Sequence, residues 1–141
     1  MRYSRGAKLF RLTAVFSMLF ALIGFSYNVW RMEVTEQNAS RREAAFEMLR
    51  EMAALEQIIF AAHYDNDTVN GNPRLGWVRL SMISDLAILM PIGTQDAAAE
   101  LKRVWQHNWA LISKNKPATK AVLAALEHTR LQVRNTLTTL E

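Results

Sequence analysis

The residues LTAVFSMLFALIGFSYNVW, from Leu12 to Trp30, decide the fold of this chain because they contain no charged side chain. A helix of this length, rising about 1.5 Å per residue, spans roughly 28 Å, close to the hydrocarbon core of a bilayer at about 30 Å. Tyr27 and Trp30 stand at its C-terminal edge, where amphipathic aromatic side chains favour the membrane interface. The segment predicts a transmembrane helix over residues 12–30, in contact with the lipid bilayer.

Basic residues precede this segment, in a short tail over residues 1–11. By the positive-inside rule, Arg2, Arg5, Lys8 and Arg11 favour a cytoplasmic N-terminus. We therefore expect a single-pass protein of the cell's inner (plasma) membrane, with a C-terminal domain that is periplasmic or otherwise extracytoplasmic.

A cleaved signal peptide is the alternative explanation of the apolar run. Gly24 and Ser26 are small residues of the kind that precede a cleavage point. The apolar run continues past them to Trp30 and merges into a helical pattern, which favours an uncleaved anchor.

The positive net charge of +4 comes from the basic tail, because the other Lys and Arg residues balance the 13 acidic ones. Nucleic-acid binding needs basic residues concentrated on the folded domain, and the sequence has no such concentration. We expect no nucleic-acid partner.

Small residues recur inside the apolar segment at spacings of three and four, the pattern of a helix-packing seam. Transmembrane helices associate through small residues because these permit close approach of the backbones. The seam predicts another transmembrane helix as partner, from a second copy or a different subunit. Its members are Ala14, Ser17, Ala21, Gly24 and Asn28.

The rest of the chain reads as all-α, with a polar helical neck over residues 31–42 and a bundle domain over residues 43–141. Neither Gly nor Pro occurs between Tyr27 and Asn70, so the transmembrane helix is expected to continue into the first helix of the bundle. The apolar stripe of this helix has alternating spacings of three and four. It consists of Ala45, Met48, Met52, Leu55, Ile59 and Ala62.

Turn signals divide the remainder into three more helices, which predicts an up-down four-helix bundle. The first signal is DNDTVNGNP, residues 65–73, and the second is Met90-Pro91-Ile92-Gly93, with Thr94 as a predicted N-cap. The third is Lys114-Asn115-Lys116-Pro117. The helix between the first two signals carries an apolar pattern, Leu75, Val78, Met82, Leu86 and Leu89.

No catalytic constellation or cofactor motif is evident, and the chain has no cysteine. The best metal candidate is His63-Tyr64-Asp65 with Asp67, but a helix end beside a solvated loop is the better explanation of these residues. We therefore predict no catalytic, cofactor-binding or metal site, and no enzymatic activity. Asp85, in an otherwise apolar stretch, either pairs with Arg79 or lies on the wet side of its helix.

The layout resembles the four-helix extracytoplasmic sensor domains of bacterial chemoreceptors and histidine kinases. Those proteins have a second transmembrane helix, which we do not find here, and no sequence motif supports the resemblance, so we assign no family.

The first bundle helix carries more apolar residues than a closed bundle buries, which is roughly three positions in seven. Phe46, Leu49 and Phe60 extend the stripe sideways and are the predicted partner surface. The leading hypothesis is a membrane-anchored accessory or scaffold subunit of a membrane or envelope complex. The alternative is an extracytoplasmic bundle that senses a small molecule between its helices.

Overall fold

The structure, a computed structural model, describes residues 3–140, with side chains from residue 6 onward. Of the predicted basic tail, Arg2 and the side chain of Arg5 lie outside the described residues. Within the described part, helices and short connections account for the fold, as predicted. The helices are α1 (Tyr3–His63), α2 (Pro73–Ala87), α3 (Ile92–Asn108) and α4 (Lys116–Thr139), with a 3₁₀ turn at Trp109–Leu111.

Helix α1 is a single element of 61 residues that joins the apolar segment to the bundle. The prediction of a continuous helix is thus confirmed, as expected for a stretch without a helix breaker before the loop at residues 64–72. The chain divides into two units: the first ends at Asn38 and the second begins at Ala39.

The N-terminal unit contains a helical segment that is long and apolar enough to cross a membrane, and none of this segment is buried within the chain. A core helix of a soluble protein would be mostly buried. A membrane anchor and a signal sequence both fit this finding.

The second unit is a four-helix bundle whose core includes the predicted stripe of α1. Met48, Met52, Leu55 and Ile59 are fully buried. Burial of such side chains contributes about 1.5–3 kcal/mol each. The other helices contribute the following fully buried large residues: Leu80, Ile83, Leu101, Trp105, Val122, Leu126 and Val133.

Polar contacts show that α1 and α4 run antiparallel. Arg42 Nη2 near the start of the bundle donates to the carbonyl of Leu140, at 3.0 Å. Further along, Arg130 Nη2 donates to Glu56 Oε2 at 2.7 Å. From the first contact to the second, the residue number rises along α1 and falls along α4, so the two helices run in opposite directions, as an up-down bundle requires.

Helices α3 and α4 are held together by threonine hydroxyls. Thr129 Oγ1 donates to the carbonyl of Ala97 at 3.1 Å. Thr94 Oγ1 and Thr136 Oγ1 lie 3.2 Å apart and share a hydrogen bond. These directional contacts fix the register between the two helices.

The predicted N-cap at Thr94 is wrong. Helix α3 begins at Ile92, after Pro91, and the Thr94 amide already donates to the Pro91 carbonyl at 2.9 Å. The φ angle that proline fixes suits a residue at a helix start, so the helix begins earlier than the threonine signal suggested.

Helices α2 and α4 begin as their turn signals predict. Asn72 Oδ1 accepts the amide of Arg74 and Asn115 Oδ1 accepts the amide of Ala118, both at 3.0 Å. Pro73 follows Asn72 directly, and Pro117 lies two residues after Asn115. Both prolines lie in the first turn, where an amide hydrogen would have no helical partner, so its absence in proline loses no hydrogen bond.

Candidate functional site

The residues of the predicted membrane seam are exposed, as are the other side chains over residues 6–37 of α1. Ala14, Ser17, Ala21, Gly24 and Asn28 are all exposed on α1. A Cβ added at Gly24 would meet no atom within 4 Å. The seam is therefore open to another molecule, and its role in helix packing stays a prediction.

The three residues of the predicted partner surface differ in burial. Phe46 is 55% exposed and Phe60 is 41% exposed. Leu49 is half-buried and packs against the bundle core. Two of the three side chains are thus available for contact, whereas Leu49 serves mainly in packing.

Helix α2 carries large apolar residues on its exposed face as well as on its buried face. Leu75, Val78 and Met82 are exposed, with Val78 at 60%. Of the apolar pattern found in the sequence, Leu86 alone packs against the core. The buried residues of α2 are Gly76, Leu80, Ile83 and Ala87.

A groove lies between the end of α1 and the start of α2, and two of these exposed residues, Leu75 and Val78, line it. Its volume is about 630 Å³. Ile58 and Phe60 line it from α1, and Leu75 and Val78 line it from α2. We call this surface, including Met82, the α1–α2 face.

An ion pair lies beside the groove. Arg79 Nη1 donates to both carboxylate oxygens of Glu51, at 3.1 and 3.3 Å. Glu51 is buried, so the pair neutralises a charge that would otherwise be costly to bury. Arg79 therefore pairs with Glu51, and Asp85 lies exposed on α2, on the wet side of the helix.

One further ion pair, Arg130 with Glu56, joins α4 to α1, and another, Arg103 with Glu100, lies on the surface of α3. Burial acts to lower the pKa of Arg130, but hydrogen bonds to Glu56 and Glu127 outweigh it and raise that pKa. On α3, a hydrogen bond from Arg103 lowers the pKa of Glu100.

A second cavity, of about 530 Å³, lies at the loop end of the bundle. It is bounded by Ala62 at the end of α1, by the loop before α2 and by Ser113 and Lys114 between α3 and α4. This cavity could not be predicted from the sequence, because its walls come from three separate segments and none of them has a binding motif. We call it the loop cavity.

Asp67 organises one wall of the loop cavity. Its Oδ1 accepts the amides of Val69 and Asn70 at 2.8 and 2.9 Å, and its Oδ2 accepts Asn70 Nδ2 at 2.7 Å. The hydrogen bonds from Asn70 and then Val69 lower the pKa of Asp67, because they favour the charged carboxylate.

The residues considered for a metal have other contacts. His63 Nδ1 lies 2.8 Å from the carbonyl of Ile112 and 3.2 Å from Thr119 Oγ1. Within the described residues, no three His, Cys, Asp or Glu side chains are placed to hold a metal ion. His63 instead connects the end of α1 to the segment before α4.

Three of the four tryptophans, Trp77, Trp105 and Trp109, form an aromatic cluster in the bundle. Trp105 is fully buried, as a core residue. The Trp77 ring packs edge-on against Trp105 and Trp109, with centroid distances of 6.5 and 6.3 Å. Trp105 Nε1 has no hydrogen-bond partner among the described residues. The cluster is structural rather than exposed for binding.

Fold and surfaces together define a helical-bundle protein with one apolar N-terminal helix of membrane-spanning length. No protein-family model matches the chain, and neither does any curated protein or solved structure that it was compared with.

Proposed function

We propose that the chain is a single-pass membrane protein that acts as an accessory or scaffold subunit of a membrane or envelope complex. Its N-terminus lies in the cytoplasm and its bundle lies outside, in the periplasm of a cell with two membranes. The exposed apolar segment of α1 and its basic flank support this arrangement. We further propose that the protein is not an enzyme, because the sequence offers no nucleophile–base or metal motif.

The α1–α2 face is the observation that carries the proposal. Three exposed apolar side chains from two helices, Phe60, Leu75 and Val78, line one groove there, and its remaining walls include the polar side chains of Asp65, Asp67 and Arg79. Contiguous apolar surface on a folded domain is a common mark of protein–protein contact sites. A groove between two helices suits an amphipathic helix, which inserts side chains at spacings of three and four residues. The proposed partner is therefore an apolar helical surface of another subunit.

Photocrosslinking in intact membranes tests this contact. A photoreactive amino acid replaces Val78, at the centre of the face, and the control replaces Leu131, which is similarly exposed on α4 but does not line the groove. We expect position 78 to crosslink to one membrane protein that position 131 does not capture. The Val78→Glu substitution should remove that protein from the material purified in mild detergent.

Two results would contradict the proposal. Equal crosslinking at positions 78 and 131 would mean that the α1–α2 face has no partner of its own. Crosslinking only between copies of this chain would make the face a self-association surface and exclude a different subunit from it.

A further inference from the structure

The loop cavity has the size of a small-molecule site, and it adjoins the groove of the α1–α2 face, with which it shares Asp67. Its volume of about 530 Å³ falls within the range of roughly 300–1,000 Å³ that is typical of ligand pockets. Walls from the α1–α2 loop and from the α3–α4 connection meet there.

The wall formed by the α1–α2 loop is fixed before any ligand arrives. Asn66 has a φ of 51°, a left-handed conformation in which the following amide, that of Asp67, reaches back to the carbonyl of Ala61 at 2.9 Å. Gly71 is packed so closely against Ala62 that no Cβ fits there. A preorganised site loses less conformational entropy on binding, which favours affinity.

Two cations from different segments line the cavity. Arg74 comes from the first turn of α2, and Lys114 comes from the α3–α4 connection. Among the described residues, neither takes part in an ion pair within 4.0 Å. The one acidic side chain in the wall, Asp67, is already engaged by hydrogen bonds from Val69 and Asn70.

The remaining polar groups of the wall are neutral hydrogen-bonding groups. They include the amides of Asn66 and Asn72 and the hydroxyls of Thr68 and Ser113. Such groups bind oxygen atoms without adding charge, and a guanidinium binds carboxylate or phosphate oxygens with a matching planar geometry.

We propose that the loop cavity binds a small solute carrying an anionic oxygen group, a carboxylate or a phosphate, through Arg74 and Lys114. The two cations hold the anionic group, and the neutral side chains bind the rest of the solute. The cavity lining contains two cations and one carboxylate, and this net positive charge favours an anionic ligand over a cationic one.

Isothermal titration of the full chain in a neutral detergent tests the proposal. The probes are sodium succinate and inorganic phosphate, with sodium chloride at matched ionic strength as the reference. We expect saturable binding of at least one probe, and the one that binds identifies the anionic group. Removal of a charged hydrogen-bond partner costs about tenfold or more in affinity. Arg74→Gln and Lys114→Gln should each show that loss.

Two control variants distinguish an effect of the charges in the cavity from an effect of the protein's overall charge. Lys120→Gln removes an exposed cation that does not line the cavity and should leave the affinity unchanged. Lys114→Arg keeps the charge and should retain most of the binding. Because Arg74 and Lys114 are exposed, the variants should fold, which circular dichroism checks.

The proposal is overturned if neither probe binds saturably at about 10 mM, ten times a weak Kd of about 1 mM. It is also overturned if Arg74→Gln and Lys114→Gln bind as the unchanged chain does. Both results are independent of the crosslinking at Val78, so this proposal and the proposed protein contact succeed or fail separately.

Discussion

Gly76 of α2 lies against the indole ring of Trp105 in α3 so closely that a methyl group at position 76 would overlap the ring. Trp105 fills the space that the missing side chain leaves, and it is fully buried there. This contact determines which face of α2 turns toward the core.

Gly76→Ala should therefore destabilise the bundle, although alanine is the better helix former by up to about 1 kcal/mol. Overpacking of this kind costs roughly 1–3 kcal/mol in the free energy of unfolding. Gly93→Ala is the matched control, because the nearest atom to its Cβ would be Gln132 Oε1 at 3.5 Å, an ordinary contact. Urea unfolding followed by tryptophan fluorescence measures both. Equal stability of the two variants would contradict the packing described.

Phe46 and Leu49 should respond differently to serine. Phe46→Ser should change the unfolding free energy by less than about 0.5 kcal/mol, as is usual at exposed positions. Leu49→Ser should cost more, because Leu49 packs against the core. A large fall in midpoint for Phe46→Ser would show that this residue belongs to the core.

A fragment that begins near Ser40 should self-associate in the absence of detergent, because the α1–α2 face and Phe46 remain exposed. Phe46→Ser should reduce the association, which light scattering after gel filtration measures. A monomeric fragment would show that Phe46 and the α1–α2 face do not drive self-association.

Substitutions in the membrane seam should weaken helix association without disturbing the fold of the chain. Gly24→Leu and Ala21→Leu add bulk where close approach depends on small side chains. Leu22→Ala removes bulk outside the seam and should matter less. A membrane two-hybrid assay compares them, and equal effects at positions 22 and 24 would argue against the seam.

The loop before α2 should loosen in acid. The hydrogen bonds to Asp67 lower its pKa, so the charged form is favoured in the folded loop. The stabilisation is complete above the ordinary aspartate pKa of about 3.9 and is lost as the pH falls through the lower folded value. The amide shifts of Val69 and Asn70 should titrate with a midpoint below about 3.9. A midpoint above that value would contradict the carboxylate network.

Topology is tested by a reporter fused after Glu141, which should register outside the cytoplasm. The membrane-bound protein should also retain Met1 when its N-terminus is sequenced. A mature N-terminus near Tyr27 would show that the apolar segment is a signal peptide.

The sequence was sufficient to predict the continuity of α1 and the core stripe from Ala45 to Ile59. Both follow from local rules, namely the absence of helix breakers and an apolar repeat on one face. Thr94 was misread because a hydroxyl suited to capping also suits a contact with Thr136 on a neighbouring helix. Which of these two roles the Thr94 hydroxyl takes depends on the tertiary structure.

The core face of α2 could not be predicted by the same reasoning. In the sequence, Leu75, Val78 and Met82 give the stronger apolar pattern, but these residues are exposed. The buried face contains Gly76 instead, because the adjacent Trp105 ring leaves no space for a side chain at that position. The loop cavity was unpredictable for a related reason, since Arg74 and Lys114 line one cavity only after the bundle has folded.

The threonine contacts between α3 and α4 also bear on the order in which the bundle forms. Thr129 with Ala97, and Thr94 with Thr136, join segments that a short connection links, so this hairpin forms with a small loss of chain entropy. The core stripe of α1 is synthesised before the three helices that share the core with it. Chains that lack α4 should therefore leave part of this stripe exposed.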